Sequence, residues 1–139
     1  MHAETGDLED APRLATVSLS RSLGRIWMRF KLDRPLPPVP APLTLCLYVD
    51  GTRPKDRMQF GLTLTRGRLR RYFVIDEGVP HLHELAGDGV AMGSTVIVAP
   101  FEEHWLASVR PPMRFSALLM YGADDVHADF PVTVLNELA

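Results

Sequence analysis

Apolar and polar residues alternate along most of this chain. In "RIWMRFKLD" (25–33), Ile26, Met28, Phe30 and Leu32 fall on one side, and Arg25, Trp27, Arg29 and Lys31 on the other. Successive side chains of an extended segment point to opposite faces, so this period of two predicts a strand with one buried and one wet, basic face. "LTLCLYVD" (43–50) turns Leu43, Leu45, Leu47 and Val49 inward, and "MQFGLTLT" (58–65) does the same with Met58, Phe60, Leu62 and Leu64. Gly67 in "TRGR" marks a tight turn into "RLRRYFVI" (68–75), whose outward row is read as Arg68, Arg70 and Tyr72. Further strands are expected at 14–20, 94–99, 114–121 and 130–135. No segment sustains a helical stripe, and "EEHWLASV" is at most one short helix.

The connections carry turn chemistry. "DRPLPPVPAP" (33–42) holds five prolines, which remove amide donors and favour a stiff extended crossing between two strong strands. "VDGTRPKDR" and "YGADD" read as polar loops. The pattern as a whole predicts an all-β fold: a two-sheet antiparallel β-sandwich of about 7–9 strands, with a small barrel as the alternative. Residues 1–12 read as a disordered acidic tail, and 13–139 as a single domain.

Composition sharpens this picture in two places. The single cysteine, Cys46, excludes an internal disulfide and points to the cytoplasm, and the acidic start has no apolar core of a secretory signal. No apolar run approaches the roughly 20 residues of a membrane helix. Net charge is only −2, but it is unevenly placed. Residues 11–75 hold 13 basic and three acidic side chains, whereas residues 76–139 hold two basic and ten acidic ones. Such blocks either join chains head to tail through opposed surfaces or interleave as their strands pair.

Candidate chemistry is sparse. On an extended segment His81 and His83 point the same way, a geometry that offers two imidazoles to one divalent metal. Glu84 then faces away, so His104 or His127 would have to close the site. The alternative is a pair of surface imidazoles. "GSTVIVAPFEEHWLAS" resembles the second motif of the cupins, with Gly93 and His104 at that motif's spacing. Ala99, Phe101 and Ser108 stand where the family carries proline, glycine and asparagine, and "HLH" lies only ten residues upstream of Gly93. The resemblance implies a small β-barrel, an enzyme or small-ligand sensor, with His81, His83 and His104 on a metal.

The second constellation is basic. If the strands at 25–33 and 68–75 are neighbours, Arg25, Trp27, Arg29, Lys31, Arg68, Arg70 and Tyr72 make one patch of cations and aromatic rings, suited to nucleic acid, another anion or an acidic protein face. No glycine-rich phosphate loop, nucleophile elbow or facing carboxylate pair is legible. The reading therefore leans away from an enzyme. It favours a cytoplasmic, non-catalytic binding module that needs no cofactor and contacts another protein or a second copy of itself.

Overall fold

The computed structural model describes residues 11–136 and is an all-β sandwich of two sheets that do not close into a barrel. Eleven strands are formed: β1 (Leu14–Ser22), β2 (Arg25–Leu32), β3 (Leu43–Asp50), β4 (Arg57–Thr65), β5 (Arg68–Asp76), β6 (His81–Glu84), β7 (Ala91–Met92), β8 (Val96–Glu102), β9 (Arg114–Tyr121), β10 (Asp124–Pro131) and β11 (Thr133–Val134). Among the described residues one 3-10 turn spans Glu103–Leu106. The five-stranded sheet runs β11-β1-β2-β8-β7 and the six-stranded sheet β10-β9-β3-β4-β5-β6. Every pairing is antiparallel except that of β1 with β11. Among the described residues no helix is long and apolar enough to cross a membrane.

Alternation places the core where the sequence puts it. Ile26, Met28, Phe30 and Leu32 of β2 face Leu43, Leu45 and Leu47 of β3 and Met58, Phe60 and Leu62 of β4, all of them 2% exposed or less. Phe60 stacks on Phe101 of β8 at 3.7 Å between ring centroids, which ties the two sheets together through their middle. Two tight turns, Leu23-Gly24 and Arg66-Gly67, keep both central residues at positive φ, the twist that suits a two-residue hairpin.

The structure changes several expectations. Eleven strands exceed the 7–9 because β7 and β11 are two residues long and because the 130–135 segment splits. β10 begins at Asp124, inside the stretch read as a loop, and the chain passes at Val132 into the other sheet as β11. Ala11 and Pro12, assigned to the tail, are buried, and Ala11 belongs to the core. The rest of the expected tail, residues 1–10, lies outside the described residues.

Tyr72 is the largest correction. A register shift between Thr63 and Leu64 leaves Arg70 as an extra residue in β5, so the strand's phase inverts there. Leu69, Tyr72 and Val74 then follow Leu64, Leu62 and Phe60 inward, while Arg71 and Phe73 go outward. The Tyr72 side chain is 3% exposed, its hydroxyl donates to the carbonyl oxygen of Pro100 in the opposite sheet, and burial pushes its pKa up. Tyr72→Phe should cost about 1–2 kcal/mol in urea unfolding, the usual effect of orphaning one buried hydrogen-bond partner. An unchanged midpoint would mean that this bond contributes nothing.

Candidate interaction surfaces

With the interior sealed, function must come from faces, edges and loops. The basic constellation is divided between them. β2 lies at the centre of the five-stranded sheet and β5 lies in the other sheet, so the two arginine rows do not adjoin. Arg68 and Arg70 are exposed near the β4–β5 turn, and Tyr72 faces the interior.

The β2 row itself is intact. Across the outer face of the five-stranded sheet, Lys31 stands between Thr16 and Val96, Arg29 between Ser18 and Val98, Trp27 between Ser20 and Pro100, and Arg25 between Ser22 and Glu102. Short hydroxyls on one side and small apolar residues on the other leave the long cationic side chains standing clear. Arg25 pairs with Glu102 at 3.2 Å, but Arg29 and Lys31 meet no carboxylate among the described residues.

The outer face of the six-stranded sheet has the opposite character. One row across it reads Ser116, Tyr48, Gln59, Ile75, Leu82, and the next reads Leu118, Cys46, Gly61, Phe73, Glu84. A third reads Asp125, Met120, Thr44, Thr63, Arg71. Its middle holds no permanent charge. Phe73 lies flat over Gly61, where an added Cβ would come within 2.2 Å of the ring. The Arg71 guanidinium sits 5.2 Å from the Phe73 ring and pairs with Glu84 at the edge. Cys46 accepts a hydrogen bond from Gln59 at 3.3 Å, and burial pushes its thiol up to about 11. A thiol so placed is a structural residue, not a nucleophile.

At the end of this face a fourth row closes a cleft of about 660 Å³: Arg114 on β9, Asp50 on β3, Arg57 on β4 and Glu77 just after β5. Arg57 grips Asp50 with Nε at 2.6 Å and Nη2 at 3.2 Å, and stacks 4.5 Å from the Tyr48 ring. Three other ion pairs join the chain's basic block to its acidic one: Arg25–Glu102, Arg71–Glu84, and Arg21–Glu103 at 2.6 Å, close but off the line of a hydrogen bond. At these three places strand pairing brings the two charge blocks together.

The histidines form a file and not a cage. His81 and His83 do share a side of β6, 4.3 Å between ring centroids, but Trp105 lies 4.9 Å from His83 and 5.1 Å from His104. Its indole is thus in contact with the imidazoles of both His83 and His104. Among the described residues no three His, Cys, Asp or Glu side chains are placed to hold a metal. The cupin-like arrangement thus fails in both its parts, since the sheets stay open and the His81, His83 and His104 set does not converge.

His127, which carries no motif, is the more unusual imidazole. It faces inward opposite Leu119, and its Nε2 is buried with no hydrogen-bond partner among the described residues. Burial lowers its pKa below 6.5, helped by the charge of Arg13 and opposed by Asp33. The unfolded chain then binds the proton more readily than the folded one. Stability from the neutral ring is present above pH 6.5 and is lost as pH falls from there through the lowered folded value. Thermal melts at pH 7.5 and 5.5 should show a drop that His127→Phe reduces. Equal drops in both proteins would refute the assignment.

Comparison of the chain with protein-family models, with curated proteins and with solved structures returned no match.

Proposed function

We propose that this chain is a non-catalytic binding module that takes an acidic protein segment on the outer face of its five-stranded sheet. The observation that carries the reading is the exposure of Arg29 and Lys31 beside Trp27, with no carboxylate partner among the described residues, on a floor of small side chains. Alternate residues of a strand are about 6.8 Å apart, so the two cations repeat at the spacing of alternate acidic residues on an extended peptide. Trp27 and the serine row offer apolar contact and hydroxyl groups beside them. A cytoplasmic setting belongs to the same reading, on the ground of the single buried thiol.

A labelled peptide of alternating glutamate and serine tests it by fluorescence anisotropy. Binding should weaken as salt rises, and Arg29→Glu with Lys31→Glu should weaken it by at least about tenfold, because like charges then face each other. Binding that ignores both salt and the double reversal sinks the proposal. A second reading has one specific support: Trp27 lies between cations, the arrangement on which an unpaired base stacks. An oligothymidylate that outcompetes the peptide would favour it.

A further inference from the structure

The outer face of the six-stranded sheet raises a separate question, independent of the acidic-segment reading. An outward sheet face is ordinarily kept charged, as that of the five-stranded sheet is, whereas this one has an uncharged middle and a charged rim, the anatomy of a protein–protein interface. We infer that this face pairs with the same face of a second copy of the chain, about a two-fold axis that lies in the interface, parallel to the strands and between β3 and β4.

The argument rests on the end row. Across β9, β3, β4 and the end of β5 it reads Arg114, Asp50, Arg57, Glu77: plus, minus, plus, minus. A sequence of four alternating charges changes sign when it is reversed. The strand-parallel two-fold performs that reversal, because it lays β9 over β5 and β3 over β4 without moving any row along the strands. Arg114 of one copy then meets Glu77 of the other, and Asp50 meets Arg57. Within one chain Arg57 holds Asp50 and also feels the charge of Glu77, while neither Arg114 nor Glu77 forms an ion pair within 4.0 Å among the described residues, so pairing adds a direct contact to each.

The remaining rows obey the same operation. Ser116 falls on Ile75, Tyr48 on Gln59, Thr44 on Thr63 and Met120 on Arg71, while in the second row Leu118 lies opposite Phe73, whose ring already covers Gly61. In the third row the acidic β10 edge, with Asp125, is brought to the side that carries Arg71. Six strands about 4.8 Å apart and four rows about 6.8 Å apart cover roughly 700 Å². That projected footprint is close to the roughly 800 Å² per partner of a standard interface, and with Leu118, Cys46 and Phe73 only 9%, 2% and 8% exposed the contact falls on the rows that flank them. The exposed Arg29 and Lys31 row could not be buried in this self-paired way, since it would meet its own charge.

Sedimentation velocity on the whole chain decides the matter. The wild type should be a dimer at tens of micromolar whose affinity survives added salt, since most of the contact is uncharged. Arg114→Glu and Glu77→Arg, each checked by circular dichroism for an intact fold, should each raise the dissociation constant at least about tenfold, because each sets like charges face to face. The double variant R114E/E77R restores both contacts and should return to within about threefold of the wild type. Met120→Arg, which opposes Arg71, should also give monomer. Arg29→Glu should leave the dimer unchanged, so that loss of peptide binding and loss of pairing are read separately. A wild type that is monomeric at ~200 µM, single reversals without effect, or a double variant no better than either single one would each overturn the inference.

Discussion

Truncating Phe60 to alanine is expected to lower the free energy of unfolding by about 4 kcal/mol. Its side chain is fully buried and its ring lies 3.7 Å from that of Phe101 with only 14° between the planes. The substitution removes apolar surface from the interior and leaves a cavity that strands held on both sides cannot close, and such phenylalanine truncations cost about 3–5 kcal/mol. Small domains have only about 5–15 kcal/mol in total, so a visible fraction of the variant should be unfolded at 37 °C. Urea unfolding with a common slope is the measurement. A loss below about 1.5 kcal/mol would show that Phe60 and Phe101 do not join the sheets as described.

The second large effect is expected at Gly61, and it should vanish in the right background. An alanine Cβ there would lie 2.2 Å from the Phe73 ring, so the ring must leave. Phe73 is only 8% exposed, and lifting it into water forfeits most of the roughly 2 kcal/mol gained by covering a phenylalanine. With Phe73→Ala already made, nothing opposes the methyl group, and the ordinary penalty of glycine in a strand makes Gly61→Ala neutral or slightly stabilising. The two costs are therefore strongly non-additive, and a double-mutant cycle reads the contact directly. Additive costs would place the ring somewhere else.

These two residues also show what could be read from the chain alone. The inward row of β4, Phe60 among it, follows from alternation, as do β2, β3 and β9, the last two residue for residue. The outward position of Phe73 does not. One extra residue at Arg70 inverts the phase of β5, and "RLRRYFVI" contains an apolar or aromatic residue in either phase, so the pattern tolerates both readings. β10 was hidden for a related reason. Its register shifts twice, at Val126 and again before Phe130, and Asp129 takes a positive φ, so no alternation survives along "DDVHADFP".

The candidate sites divide in the same way. The Arg25–Lys31 row is local, carried by one strand, and was legible. The joined basic patch and the metal site required strand order, which alternation does not encode, and the order keeps β2 from β5 and puts Trp105 among the imidazoles. The antisymmetric end row was invisible for the strongest version of this reason. Arg114, Asp50, Arg57 and Glu77 come from widely separated stretches, and their order of charge exists only once four strands are in register.

The edges of the five-stranded sheet determine how far association can proceed. On one side the Asn136 side chain accepts from the Arg21 amide at 2.8 Å and donates to the Arg21 carbonyl at 3.0 Å, doing for β1 what an incoming strand would do. On the other, Pro100 of β8 has no amide hydrogen, and its carbonyl is already taken by Tyr72. At these two positions, beside the short edge strands β11 and β7, the backbone that a neighbour would need for sideways extension is thus occupied or missing. A strand arriving at Arg21 or at Pro100 would find no free ladder partner there, which discourages open-ended growth from either place.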